Sequence, residues 1–229
     1  MEGLVAVVSS SWSARTAIVA SLGDPTRRAL FDYLRQAGKP VGRDELAHAL
    51  ELPRAVAATQ LDRMAREGIL SVSFSKTGPG GPGTGRPAKR YAAVTTEVLA
   101  SVPERSYELI GDLIAAAAER SMVNEESVEQ NARAVGRERG YELGQAHGTI
   151  EGVLEATGYS PLSIDDGTIE FTNCPFHRLA LDHPMLVCCL SGALLEGALE
   201  GCGDATRSVE AVSPGHGGSQ CCARLIRRS

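Results

Sequence analysis

Apolar residues recur at every third or fourth place through most of this chain, with short alternating runs between them. That pattern predicts an α+β fold. Ala29, Leu30, Tyr33 and Leu34 share one helical face. Asp24 and Pro25 offer that helix a cap and a first-turn proline, and Gly38, Lys39 and Pro40 end it. Leu46, Ala49 and Leu50 form a second stripe, and Val56, Ala57, Leu61 and Met64 a third. Two short helices joined by a tight turn follow from these stripes. Pro53 suits the first position of the second helix and Gly68 a left-handed stop after it. Runs at 69–74 and 90–94 read as strands. Residues 1–14 show no period and read as a frayed end.

Beyond residue 95 the period lengthens. Tyr107, Leu109, Ile110, Leu113, Ile114 and Ala117 predict a helix, and Pro103 with Glu104 starts it. A second helical segment is expected over 125–157, carried by Val128, Ala132, Val135, Leu143, Ala146, Ile150 and Leu154. The remainder reads as a small α+β unit with strands at 167–172, 208–212 and 220–226 and a helix at 184–200. The expected organisation is a winged helix–turn–helix at 15–95, a helical linker or dimerisation region at 96–158, and a cysteine-containing domain at 159–229. In a winged helix–turn–helix the second helix enters the DNA major groove.

Charge supports that division. Residues 1–100 hold 13 Lys and Arg against 9 Asp and Glu, a net of +4, whereas residues 101–229 hold 10 against 19, a net of −9. A basic front and an acidic back fit a half that meets DNA and a half that stays off it. No run is expected to reach the roughly 18 apolar residues of a membrane helix. Glu2 stands where a signal peptide needs positive charge, so the expectation is a cytoplasmic protein. All six cysteines follow residue 173, which in that compartment points to metal, cluster or thiol chemistry rather than structural disulfides.

The phrase LGDPTRRALFDYL, the turn after it and GRPAKRY near residue 90 together resemble the DNA-binding domain of ArsR-type winged-helix regulators over about residues 18–95. Arg54, Thr59, Gln60 and Arg63 on the second helix are candidates for base or phosphate contacts, the alternative being a solvated helix face. Arg66 instead offsets the helix dipole. Arg86, Lys89 and Arg90 offer cations to the backbone or a minor groove. The tip at 78–85, with five glycines and two prolines, is not a phosphate loop, because Gly85 leads into Arg86 and Pro87 rather than Lys and Ser or Thr.

Cys174 precedes Pro175 at an expected helix start, which favours a thiolate. Cys188 and Cys189 fall on the next helix, Cys202 in a glycine turn, and Cys221 with Cys222 on the last strand, where adjacent residues face opposite ways. NCPFHRLALDHPMLVC, then ALLEGALEG and a late CC, are similar to the C-terminal domain of repressors of iron–sulfur cluster assembly genes. The resemblance implies an iron–sulfur cluster held by Cys174, Cys188 and one of Cys221 or Cys222, with His177 or a small molecule as fourth ligand. Zinc, metal-free thiols and plain core packing are the alternatives. No G-x-S-x-G, H-E-x-x-H or Ser/His/Asp set points to an enzyme. The expected function is a homodimeric DNA-binding regulator, a repressor, that senses a cluster, metal or redox state through its cysteines. The alternative is a non-catalytic metal- or cluster-binding protein whose winged fold meets another protein.

Overall fold

Trp12–Ser21 forms helix α1, and Ser11 caps it by accepting a hydrogen bond from the N–H of Ala14. The coordinates are a computed structural model and describe residues 11–75, 87–95, 97–164, 166–212 and 221–228. None of the residues of α1 is buried, so no apolar period marks it in the sequence. The chain forms an α+β structure of two compact units, residues 1–100 and 101–229.

In the first unit, α2 (Pro25–Ala37) begins as its sequence requires: Asp24 Oδ1 accepts from the N–H of Arg27 at 2.9 Å, and Gly38 ends the helix at φ 60°. Its buried face is Leu30, Phe31 and Leu34, with the expected Tyr33 half-buried against the same core and Phe31 added to it. The two-residue strand β1 (Val41–Gly42) leads into α3 (Arg43–Ala49), then α4 (Arg54–Arg66), β2 (Leu70–Ser75) and β3 (Ala88–Ala93). Pro53 is the cap of α4 rather than its first residue. Gly68 takes the left-handed conformation at φ 75°. The sheet order is β1-β3-β2, with β2 and β3 antiparallel from Leu70 opposite Ala93 to Ser75 opposite Ala88. Ala57, Leu61 and Met64 carry the inner side of α4, whereas Val56 is 40% exposed and leaves the expected stripe.

The second unit runs α5 (Tyr107–Asn124), α6 (Val128–His147), α7 (Ile150–Thr157), β4 (Ser160–Ser163), β5 (Ile169–Asn173), α8 (His177–Asp182), α9 (Pro184–Gly201), β6 (Arg207–Ala211) and β7 (Ala223–Arg227). The segment expected as one helix over 125–157 breaks at Gly148, φ 71°, and restarts where the Thr149 side chain caps the N–H of Gly152 at 3.2 Å. The sheet order is β4-β5-β7-β6. Ile110, Val135, Leu154, Phe171, Leu194 and Leu225 belong to one core, so the expected boundary near 158 falls inside it.

Glycine sets the spacing at the centre of that core. Gly136, Gly140 and Gly144 lie four apart on one buried stripe of α6. Gly197 and Gly201 answer them on α9. A Cβ on Gly136 would stand 2.8 Å from the Leu190 carbonyl oxygen. One on Gly140 would overlap the Leu194 carbonyl, and one on Gly197 the Arg137 carbonyl. The helices therefore meet backbone to backbone. At 18 residues and mean hydropathy 1.3, α9 is long and apolar enough to cross a membrane, contrary to the expectation from its sequence. Half of it is buried inside the unit, as the core helix of this fold.

Gly140→Ala should cost about 1–3 kcal/mol through forced separation of the two helices. Gly111→Ala in α5, where an added Cβ meets nothing within 4 Å, should be stabilising by about 0.5–1 kcal/mol. Urea denaturation of both variants measures the contrast, and an undestabilised Gly140→Ala would remove close helix contact as the organising feature.

Candidate thiol site and candidate nucleic-acid face

The outward side of α4 presents Arg54, Thr59 and Arg63, all exposed, and the half-buried Gln60. Each is already engaged within the first unit. Arg54 pairs with Asp44, Nε to Oδ1 at 2.9 Å, and Arg63 with Glu67, Nε to Oε1 at 2.9 Å. The Thr59 hydroxyl donates to the Ala55 carbonyl at 2.8 Å. Gln60 accepts from Arg27 Nε at 2.9 Å. On β3, Lys89 is paired with Asp62 and lies over the Tyr91 ring. Arg90 donates to the Ser75 hydroxyl at 2.8 Å and to the Pro40 carbonyl at 3.3 Å. Arg86 lies outside the described residues.

The carboxylates respond to these contacts. The Lys89 hydrogen bond, followed by that from Tyr91, lowers the pKa of Asp62. Glu67 is lowered first by the hydrogen bond from Ser21, 2.6 Å away, and then by Arg63.

The thiols converge for a reason of register. β5 and β7 run antiparallel with Ile169 opposite Leu225. Continuing that register sets Asn173, at the end of β5, opposite Cys221, so Cys174 follows directly after the residue that faces it. Cys188 comes from the second turn of α9, which packs on β7. The four side chains bear on one another's ionisation: Cys221 on Cys174, Cys174 and Cys222 on Cys221, and Cys188 on Cys222. Both members of the late pair therefore join. Cys221 and Cys222 sit in a bend ahead of β7 rather than on the expected strand, so strand alternation does not separate them.

Hydrogen bonds from Cys174 and then Cys222 lower the pKa of Cys221 to about 4. The bond from Cys222 lowers Cys188. Cys222 is raised by its bonds to Cys188 and Cys221 and then by burial. Cys174 is likewise raised, by its bond to Cys221 first and burial second. That direction runs against the expectation that the turn before α8 favours a Cys174 thiolate. His177 opens α8, and its backbone N–H donates to the Cys174 carbonyl at 3.1 Å. Cys202 stands apart and donates to the Gly144 carbonyl at 3.6 Å, while burial raises both it and Cys189.

The surroundings of Cys174 were not read from the sequence. Arg105 Nη1 donates to Asn173 Oδ1 and, at 3.1 Å, to the Cys174 carbonyl. Asn173 Nδ2 donates to the carbonyls of Glu104 at 3.0 Å and Gly158 at 2.8 Å. Tyr159 is buried beside the sulfurs, with its hydroxyl 2.5 Å from that of Ser191. Burial first, and the nearby Cys221 charge next, raise its pKa. No periodic signal marks these polar positions; the phrase NCP alone hints that Asn173 braces a turn.

Thiols from three separate elements are suitable donors for a soft metal or cluster. Among the described residues no group of three or more His, Cys, Asp or Glu is placed to hold a metal ion. No protein-family model, curated protein or solved structure matches the chain.

The thiol network gives a pH signature in the reduced, metal-free protein. The neighbours of Cys221 push its pKa down to about 4, from 9.0 for an unperturbed thiol. Its stabilising contribution is full above 9.0 and is lost as the pH falls to about 4. Cys174 and Cys222, raised when folded, act oppositely: their contribution is full below 9.0 and is lost as the pH rises beyond it. The stability gap between wild type and Cys221→Ser should therefore widen from about pH 4 to about 9. Urea midpoints across that range test it; a constant gap would leave Cys221 protonated.

Proposed function

We propose that this protein is a DNA-binding transcriptional regulator, a repressor, with a winged helix–turn–helix at its N-terminus and a thiol-based sensory unit behind it. The observation that carries the reading is the order α3, turn, α4 and the β2–β3 pair, with Arg54, Thr59 and Arg63 outward on α4 and Lys89 and Arg90 on the following strand. Helix–turn–helix proteins present such a second helix to the major groove. The ion pairs on this face do not oppose the reading. Arg54, Asp44 and Arg63 have side chains more than half exposed, and exposed pairs contribute about 0–1 kcal/mol, so phosphate oxygens can replace the carboxylates at small cost. The protein acts as a cytoplasmic homodimer on palindromic half-sites, since operator symmetry mirrors protein symmetry.

The sensory ligand is one that soft sulfur donors take: an iron–sulfur cluster, with zinc as the alternative. Cys174, Cys188, Cys221 and Cys222 would hold it, and a cluster would supply a redox-sensitive link among their elements. The chain's own part is to gather the sulfurs and to distribute their protons. A second reading, a non-catalytic metal- or cluster-binding protein that meets a protein partner, draws on one observation: Asp44, Asp62 and Glu67 balance the charge of the α4 face.

Gel-shift titration against DNA upstream of the gene should show binding that weakens steeply with salt. Arg63→Ala, Lys89→Ala and Arg90→Ala should each lower the salt slope by roughly one unit if they meet phosphate. Salt-independent binding, or none, would favour the protein-partner reading. Anaerobic purification with iron, sulfide and zinc analysis decides the ligand: iron with sulfide supports the cluster, and zinc alone replaces it.

A further inference from the structure

β6 is an edge strand, and its free side opens on a cleft. The sheet order β4-β5-β7-β6 gives it a single neighbour, with Arg207 opposite Arg227 and Val209 opposite Leu225. Next to the ladder, the Arg228 N–H donates to the Thr206 carbonyl at 2.8 Å and the Val212 N–H to the Cys222 carbonyl at 2.9 Å. The even-numbered residues thus turn their backbone groups to β7, and alternation turns those of Arg207 and Val209 outward. Beside them lies a cleft of about 540 Å³, walled by Leu199 and Glu200 of α9 and Arg137 of α6. That volume falls within the range of about 300–1,000 Å³ that small-ligand sites occupy.

Most charges around the cleft are already matched. Arg137 donates to both carboxylate oxygens of Glu200. Asp204 accepts from the N–H of Thr206 at 2.9 Å and from Arg207 at 3.1 Å. Glu196 and Arg228 also line the cleft; both are exposed, and among the described residues no ion pair engages either. They stand at opposite ends. Arg228 is held at the Thr206 end by its backbone bond. α9 and β6 run back along one another from the turn at Gly203, φ 70°, so Glu196, one helical turn beyond Glu200, lies toward Val209. The steps from Thr206 to Val209, at about 3.3 Å each, set the two ends roughly 10 Å apart. An extended tripeptide spans about the same length.

We propose that this cleft binds a tripeptide with free termini, added to β6 as an antiparallel strand. Its first residue lies opposite Val209 and its third opposite Arg207, each exchanging backbone hydrogen bonds with its partner. The ammonium then meets Glu196 and the carboxylate Arg228. The first side chain falls on the Val209 side, where Leu199 also lines the cleft, so an apolar residue fits there. No cysteine is among the described residues lining the cleft, so this site is independent of the ligand that the sulfurs take.

The test follows backbone amide shifts of the full-length, isotope-labelled chain during titration with trileucine. The Arg207 and Val209 amides should move together and report one dissociation constant. Acetylating the peptide's N-terminus or amidating its C-terminus should each weaken binding about tenfold, the loss of one bond between charged groups. Methylating its third backbone nitrogen, which removes the donor to the Arg207 carbonyl, should abolish binding. Glu196→Gln should weaken trileucine about tenfold and leave the acetylated peptide unaffected. Arg228→Gln should do the same to the free peptide and spare the amidated one. Both side chains are exposed, and circular dichroism checks that the variants fold. An absence of shifts at millimolar trileucine, equal binding of free leucine, or an affinity indifferent to both end blocks would each overturn the proposal.

Discussion

The backbone contact between α6 and α9 is the constraint on which the second unit depends. Glycine in a helix interior costs roughly 0.5–1 kcal/mol against alanine, so five buried or crowded glycines are a substantial local penalty. What offsets it is dispersion between two backbones brought within side-chain distance over several turns. Once α9 is set by Gly136, Gly140 and Gly144, its other faces are free to carry Leu190, Leu194 and Leu195 into the core and to receive β6 and β7. Cys188 inherits its position from the same contact. The thiol series is thus anchored on one side by a helix that cannot shift without driving α-carbons into carbonyl oxygens.

Its other side is anchored by polar bonds. The Ser106 N–H donates to the Pro175 carbonyl at 3.1 Å, and the Ser106 hydroxyl to the Thr157 carbonyl at 2.7 Å. Together with Arg105 and Asn173 they bind the Cys174 turn to residues 104–106, the lead-in to α5. Buried Asn173 would be costly without these partners, and it has them on both its oxygen and its nitrogen. The turn and the start of α5 consequently move as one body. Residues 104–106 belong to the second unit, so the Cys174 turn is hydrogen-bonded to that unit's own N-terminal segment. A ligand there can act only as far as it binds two arrangements of that segment unequally.

Much of the first unit was legible because its signals are local. Asp24–Pro25, Gly38 and Gly68 each fix a boundary through backbone chemistry that needs no tertiary context. α1 was not legible, since an exposed helix carries no apolar stripe. In the second unit, apolar periodicity located α9 and, in α6, the buried Ala132 and Val135 and the half-buried Leu143, but it also took in Val128 and Ala146 and ignored glycine, which reads as neither apolar nor polar. Val128 and Ala146 are exposed, and the buried line is Ala132, Val135, Gly136, Gly140 and Gly144. The four-residue spacing of those glycines was visible and is the signal that would have found it. For the thiols, strand alternation was the wrong guide to Cys221 and Cys222, because these two sit in a bend ahead of β7.

The charge pairs on the α4 side have a property that bears on any polyanion approaching it. A carboxylate that gives up its cation must not be left without a donor, or the exchange is costly. Asp62 is held by the Tyr91 hydroxyl at 2.7 Å as well as by Lys89, and Tyr91 is fixed in the core at 1% exposure. Glu67 has the Ser21 hydroxyl at 2.6 Å and Arg27 at 3.8 Å besides Arg63. Asp44 is open to water and needs no second partner. Lys89, Arg63 and Arg54 can therefore each leave without orphaning the group they leave behind. Each carboxylate on this face would keep a donor or water if its cation moved, which is the condition the proposed phosphate contacts require.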